Sequence, residues 1–566
     1  MRHLTSKITV GFLMVLVIST SAAAINRGEA LSEIISALSL PLWNGKSFSD
    51  VPKDHPSSRY VESAFSMGIL FPSDRFYPDI EISKAEAIAF SFRAMGWQHE
   101  AQLVASLGHI TGELPPYLEP YVNLAGETEP KMPSNLLRSP SETLKEDDLK
   151  ELTDWLKDRI VSGLRWDMTL NSPCYTLYLH REGVGRPPKG WAIALSESAT
   201  EEKAKAMLKK LNKLNLPSYI ERTDCAFSVR IGPYNNYAQA WLLAKGVPRE
   251  FGKTSILPIG GGGRTLFWCM IKALPSKTYI TTAPSIGARK LSLSEIGEHS
   301  KSTAAVNAGF FWKNRPVGTI VIDDVPVSPT YKDRSAIGWD QDMVYFGDGS
   351  YRLSAECENN GLPISAINQP TSEGKIGFYT PHFGQFATSI KGNGTEFLLQ
   401  GSKTVKVRKS TGSNHFMKPE ENILYLRTSG LGPLSDAAEI KLQTIWSDEA
   451  MVGTKQVIQA GPMILGLEGP FSSEWFSDSI INKRHPRTLA GWDGDRLCWI
   501  VIDGRSSWHS DGATLSEAAF IARQAGLLKA INMDGGGSSQ MWWKGITVNR
   551  PSEGRERPLP YAVTFR

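Results

Sequence analysis

The chain reads as multidomain: a mixed α/β (α+β) domain in the C-terminal half, a small ferredoxin-like α/β module before it, and short helical repeats before that. Three observations predict this. Near the C-terminus an apolar run, a helical pattern and a second apolar run follow one another, and the runs end on Asp503 and Asp534. From residue 172 to 248, short alternating strands interleave with two amphipathic helices. Residues 45–165 hold a helix–loop–helix pattern at 47–97 and a degraded copy at 112–160. The 566 residues are ample for several domains, and a net charge of +4 is too small to argue for a nucleic-acid partner.

Met1 to Ala24 carries Arg2 and Lys7, an apolar run from Ile8 to Ile18, then Ser-Thr-Ser-Ala-Ala-Ala. This is expected to be a secretory signal peptide over 1–24, cleaved near Ala24. A membrane anchor is the alternative, but the run is shorter than the ~20 residues a spanning helix needs. No cysteine sits at the cleavage site, which argues against a lipoprotein. The mature chain is expected in the periplasm, the cell wall or outside the cell, with no transmembrane segment after cleavage.

The first helical unit opens on Phe48-Ser49-Asp50-Val51 and continues through Tyr60, Val61, Ala64, Gly68, Ile69, Phe76-Tyr77-Pro78 and Ser83-Lys84-Ala85-Glu86. Val61, Pro78, Glu86 and Phe90 find counterparts in Val122, Pro140, Asp148 and Leu152. The first unit resembles an S-layer homology repeat, a family that binds cell-wall polymers and normally uses three copies. A structural spacer is the other reading.

In the next module, Tyr175, Leu177 and Leu179 alternate as a strand, as do Trp191, Ile193 and Leu195. Ala204, Leu208 and Leu211 line one helical face. Phe227–Ile231 is a strand leading into Gly232-Pro233-Tyr234, and Tyr237–Lys245 a helix. Residues 172–248 are similar to the SPOR domain, which implies binding to peptidoglycan glycan strands; a ferredoxin-like packing module is the alternative. Gly260–Gly263 reads as a linker.

The C-terminal domain is expected over 264–566. Leu266–Ile271 reads as a strand. Ala304–Val306 leads into Asn307-Ala308-Gly309-Phe310-Phe311-Trp312. A short amide at a strand end followed by aromatics suits hydrogen bonding to a sugar and stacking on its apolar face; a turn Asn with a core Phe pair is the alternative. Gly318–Val327 predicts a hairpin turning at Asp323-Asp324, and 334–346 and 363–430 read as further short strands.

Leu497–Ile502 runs into Asp503-Gly504-Arg505. Thr514 and Glu517 form a capping box for a helix with Leu515, Ala518, Ala519 and Ala522 on one face and Gly526 just past its end. Ala530–Met533 then reads as a buried strand into Asp534, followed by Gly535-Gly536-Gly537-Ser538-Ser539 and a strand over Gln540–Trp543. Strand, helix, strand predicts two parallel strands joined by a right-handed crossover. Both acids would then lie on one edge, with Arg505 and the glycine loop beside them. Consecutive glycines can turn several amides into one concavity for an anion. No Lys follows, which excludes a nucleotide P-loop.

Upstream, His485-Pro486-Arg487-Thr488 offers a proton-transferring imidazole and a guanidinium fork that fits phosphate. A surface His in a loop is the alternative. Trp492, Trp508 and Trp543 are candidates for sugar stacking or for the core. The glycine loop, His485-Pro486-Arg487-Thr488, Asn307–Phe311 and Gln459-Ala460-Gly461-Pro462-Met463 together resemble the phosphodiester glycosidase family, from about Leu266 to Arg566. That resemblance implies hydrolysis of a sugar-1-phosphodiester. The expected catalytic residues are Asp534, Asp503, Arg487, His485 and Asn307. The expected substrate and phosphate contacts are Gly535, Gly536, Gly537, Ser538, Thr488 and Arg505. Asp511 and Gly512 lie close in sequence, and Asn549 and Arg557 fall where the relatives carry similar residues.

Cys174, Cys225, Cys269, Cys357 and Cys498 show no ligand spacing, so no zinc is expected. Nothing in the sequence demands a cofactor; the acidic edge leaves room for a divalent cation without requiring one. Cys174 and Cys225 fall in one expected module and could pair, or both could be buried thiols. The expected partners are a glycosyl-phosphate substrate and, through the N-terminal modules, peptidoglycan or another wall polymer. A non-catalytic wall-glycan binder and a hydrolase of ordinary peptidoglycan glycosides are the competing readings.

Overall fold

A computed structural model describes residues 24–45, 48–108, 111–186, 190–198, 200–222, 227–235, 237–252, 254–259, 265–357, 360–384, 394–401, 403–410, 418, 420–427, 439–466 and 473–566. The expected signal peptide (apart from Ala24), Cys225 and the Gly260–Gly263 linker lie outside the described residues. Among the described residues no helix is long and apolar enough to cross a membrane.

The helical region closes into a three-way ring. The segments before helices Arg27–Ala37, Lys84–Ala94 and Glu146–Ser162 bond in rotation: Ile25 N to Leu144 O, Ile82 N to Ile25 O, and Leu144 N to Ile82 O, at 2.8–3.1 Å. Salt bridges Arg27–Glu86 and Lys84–Asp148 follow the same rotation. Pro78 and Pro140 play equivalent parts, each accepting from the second amide of the next helix, Gly28 and Ala85. The segments before Lys84–Ala94 and Glu146–Ser162 thus occupy matching positions in the ring, and the segment before Arg27–Ala37 occupies the third.

A seven-stranded sheet forms the centre of the molecule. Its strand order is Arg165–Asn171, Tyr175–Glu182, Leu266–Ala273, Leu497–Ile502, Arg487–Trp492, Lys529–Asn532, Met463–Leu465. Every neighbouring pair is antiparallel. This corrects the simple crossover picture. Leu497–Ile502 and Lys529–Asn532 do run the same way, but each pairs with Arg487–Trp492, which lies between them. The connecting helix, Leu515–Gln524, has the predicted Thr514–Glu517 capping box and buries Leu515, Ala518 and Ala522. Gly526 follows its end at φ +88°.

The Tyr175–Glu182 strand is a second correction. It was expected in the small module; it pairs with Leu266–Ala273 in the central sheet instead. Its alternating burial suits any half-buried sheet, so the pattern identifies a strand without naming its partner. Cys174 therefore belongs to the central sheet's hairpin. It is a free thiol, as are Cys269, Cys357 and Cys498.

The small module proper begins after that. Its sheet runs Ser218–Arg222, Phe227–Tyr234, Gly190–Ser198, Ser255–Ile259, carrying helices Glu201–Lys213 and Tyr237–Gly246. Elsewhere, the predicted hairpin is present: Ile320–Ile322 pairs with Val325–Ser328, and both turn residues, Asp323 and Asp324, take positive φ, as a two-residue turn requires. The strand Ala304–Asn307 lies between Met541–Trp543 and Tyr561–Phe565 in another five-stranded sheet. The glycine loop therefore passes from the central sheet to this second one.

Candidate active site

Strand ends bring the predicted residues to one rim, and side-chain direction then divides them. Arg487 opens its strand beside Ile502, the last residue before Asp503, while Asp534 lies two residues beyond Asn532. On one side of this rim is a cavity of about 840 Å³. Asp534, Gly535, Gly536, Arg487 and His485 line it, as do Phe310, Phe311 and Trp312 from the predicted aromatic run.

Asp534 is held by its backbone. Its N–H donates to Ala308 O at 3.1 Å, and its carbonyl accepts from Asn307 Nδ2 at 2.7 Å. Asn307 itself is buried outside the cavity lining. Its Oδ1 accepts from Thr488 Oγ1 (2.7 Å) and Gln540 N (3.1 Å). Asn307 and Thr488 therefore tie the two ends of the glycine loop to the central sheet, a scaffolding placement rather than the expected sugar contact.

The loop also differs from the open cradle of amides that consecutive glycines suggest. Residues Gly536–Ser538 form a 3-10 turn. Gly536 N donates to Pro486 O, Ser538 N to Gly535 O and Ser539 N to Gly536 O. Those amides are spent inside the fold. Two glycines have other reasons to be there. Gly536 has φ +63°, and a Cβ on Gly537 would overlap the Glu553–Arg557 ion pair. Gly537 and Ser538 do not line the cavity; Ser538 Oγ accepts from Arg557 Nη1 at 3.2 Å.

Arg487 is buried, and its fork is largely committed to main chain. Nε donates to Ala513 O (2.8 Å), and Nη2 to Ile480 O (2.6 Å) and Lys483 O (2.9 Å). It pins the 480–487 loop to the rim. His485 is half-buried, with Nε2 3.1 Å from Ser479 O. Arg505 is exposed and outside the cavity lining; Trp492, Trp508 and Trp543 are outside the lining too, the first half-buried and the other two buried. Trp508 is instead buried against the helical region, where its carbonyl faces Gly96 and Gly185 so closely that no Cβ would fit.

Asp503 faces the other way. Its Oδ1 accepts from Asn549 Nδ2 (2.7 Å) and its Oδ2 from Arg550 N (2.7 Å), and Oδ2 lies 2.9 Å from His509 Nε2. His509 Nδ1 is 3.2 Å from Glu100 Oε1, which also pairs with Arg181 Nε at 3.1 Å. Glu100 comes from helix Gln98–Ser106 of the helical region. Asn549 continues the chain by donating to Ser539 O and accepting from Met541 N, behind the glycine loop. Asp503 thus joins the helical region to the back of the loop.

Burial lowers the pKa of His99 to about 3, aided by the neighbouring His509, and that of His509 to about 4 against the pull of Asp503. Ligand atoms of His99, Asp503 and His509 lie within 4.8 Å of one another, close enough to hold a metal ion. The positive charges of Arg181 and Arg550 already bear on the two carboxylates there, so the set does not call for a cation.

Several cavity residues carried no signal in the sequence. Arg315, Arg334, Tyr331, Asn368, Trp475 and Phe476 all line it. The Trp475-Phe476 pair in a polar stretch was the one legible hint.

Comparison with known proteins fits this division of the chain. The phosphodiester glycosidase family model matches residues 384–566, and the SPOR domain model matches 187–257. The C-terminal match supports a glycosidase-type hydrolase, and the SPOR match starts after the strand that joined the central sheet. A 97-residue stretch, 17% of this chain, is 36% identical to the SPbeta prophage-derived uncharacterized protein YomE of Bacillus subtilis (strain 168); it spans 15% of that relative's length. Among solved structures, a hypothetical protein from Synechocystis aligns with TM-score 0.44 and 17% identity over 71% of this chain and 80% of its own. The catalytic domain of zebrafish N-acetylglucosamine-1-phosphodiester alpha-N-acetylglucosaminidase, auto-inhibited by its pro-peptide, aligns with TM-score 0.31 and 13% identity over 54% of this chain and 78% of that one.

Proposed function

We propose that this chain is an exported cell-envelope hydrolase that cleaves a sugar-1-phosphodiester bond, with Asp534 as the carboxylate nearest the anomeric carbon. One observation carries the reading: among the described residues, Asp534 is the only carboxylate lining a cavity whose lining also includes three arginines and six aromatic rings. The reaction suits a single acid. The departing phosphate monoester is already a stable anion, so it needs little protonation. What remains is a carboxylate for the oxocarbenium-like centre, cations for the phosphate and aromatic faces for the ring. Asp534 meets the first need, acting on water or on the anomeric carbon itself; the anomer released first distinguishes these. Asp503, Asn307 and Thr488 act as positioning residues that hold the loop carrying Asp534.

The SPOR domain suggests peptidoglycan binding. With the S-layer-homology-like ring of helices, it would hold the enzyme against the wall. The competing reading is a glycan-binding protein without turnover, favoured by the internal use of the glycine-loop amides. Release of reducing sugar separates the two. The full chain should free the sugar from a synthetic sugar-1-phosphodiester and leave the uncharged aryl glycoside of the same sugar intact. Binding without release would overturn the enzyme reading.

A further inference from the structure

Three guanidinium groups reach one cavity, and they differ in what already engages them. Arg315, Arg334 and Arg487 line it, against Asp534 as the one carboxylate among the described lining residues. The Arg487 fork is largely committed to main chain, and the Glu474 carboxylate acts on Arg334 electrostatically from outside the lining.

Arg334 is the informative one. Its guanidinium carbon lies 4.1 Å from the centre of the Phe476 ring, 5.2 Å from Tyr331 and 5.7 Å from Phe310. These rings fix the plane of the fork but offer no lone pair to its edge. Its Nε is buried without a hydrogen-bond partner, and its guanidinium makes no ion pair among the described residues. The nearby carboxylate of Glu474 accepts from Ser335 N, Ser335 Oγ and Met463 N instead. A planar, oriented, unsatisfied donor edge is the pattern that takes phosphate in a bidentate manner. Arg315 lines the same cavity and also forms no ion pair among the described residues. At the mouth, Trp312 is 56% and Trp475 is 72% exposed, giving two aromatic faces for sugars outside the cavity.

We propose that Arg334 and Arg315 receive a second phosphate, so that the substrate is a polyanionic chain of repeating glycosyl-phosphate units rather than a lone sugar phosphodiester. This rests on the hydrolase reading above and narrows its substrate class. The bond cleaved next to Asp534 is then one link of the chain, and the neighbouring link is gripped by the two arginines.

The test compares a one-phosphate sugar phosphodiester with synthetic oligomers of two and three glycosyl-phosphate repeats, using the full chain. The expected result is a kcat/KM about 10–100-fold higher for the oligomers, the scale of a charge-assisted bidentate contact, and sensitive to salt. Arg334→Met, which keeps the packing on the rings, and Arg315→Gln should each collapse that preference. Equal turnover of both lengths by the unaltered chain, or variants that keep the preference, overturns the proposal. Should Arg334→Met fail to fold, Arg315→Gln and the salt dependence of the unaltered chain decide it. If no substrate is turned over, the hydrolase reading fails separately. The second site is then judged by binding alone: oligomer bound no better than an uncharged glycan, at any salt, overturns it.

Discussion

Asp503 and Asp534 follow two strands that run the same way in one sheet, yet they meet opposite surroundings. Asp534 lines an arginine-rich cavity, while Asp503 is buried among Asn549, Arg550 N and His509, two contacts away from Glu100 of the helical region. The difference shows how much strand direction settles. Direction fixes which edge a residue reaches. The face is set by how far the acid lies beyond the last paired position: one position for Asp503, two for Asp534. One acid then lines the cavity while the other is tied to the loop on which the first is carried.

The sharpest way to break this comparison is Asp534→Asn. It removes the cavity's carboxylate and keeps its shape. Turnover should fall by about 10³-fold or more, with the melting temperature shifted by no more than about 2 °C. Loss of fold together with activity would make Asp534 a second Asp503.

The complementary test is Glu100→Ala. It leaves Arg181 and His509 buried without their shared carboxylate, and breaking such a pair costs about 3 kcal/mol or more. The unfolding midpoint in urea should drop accordingly. Protein that remains folded should keep kcat within a few-fold, with any change in KM. A variant with unchanged stability would show that the helical region only abuts the catalytic domain.

Much of this was legible in the sequence, and the gaps have physical causes. The Thr514–Glu517 cap, the Asp323-Asp324 turn and the Phe310–Trp312 lining come from local chemistry, which a sequence displays directly. The match between Val61, Pro78 and Glu86 and their later counterparts was also readable, because repeats preserve spacing. Partner choice was not. The Tyr175–Glu182 alternation is the same whichever sheet receives the strand. Nor could the sequence foretell that the amides of Gly536, Ser538 and Ser539 turn inward, since glycine permits many conformations and specifies none. Arg334 was hidden most deeply. Its setting comes from Phe476, more than a hundred residues away, and its Nε has no hydrogen-bond partner among the described residues.

A smaller effect should appear in pH. His99 and His509 hold pKa values of about 3 and about 4 in the folded chain, against an ordinary value near 6.5. The unfolded chain therefore binds more protons between these limits, and stability must fall as pH drops from about 6.5 towards 4. Above 6.5 these two groups contribute no slope. His509→Gln should flatten the acid limb of the melting-temperature profile. A limb unchanged by that substitution would assign the acid sensitivity to other groups.

The smallest expected effect belongs to the cavity mouth and sharpens the comparison from its open side. Trp475 is largely exposed; its ring has Lys332 Nζ 5.6 Å from its centre, and it stands beside Phe476, whose face supports Arg334. A side chain so exposed contributes little to folding, and its ring is free to stack on a sugar. Trp475→Ala should therefore raise KM about 3–10-fold, the worth of a single stacking contact, while kcat and melting temperature stay put. Trp475→Phe should recover most of the loss, because a smaller aromatic face still stacks. The two variants together separate a binding face from a prop. If Trp475 merely held Phe476 and Arg334 in place, both substitutions would loosen the guanidinium, and the loss would appear for anionic substrates only. If it stacks on sugar, binding will weaken by the same factor for charged and uncharged ligands of equal length.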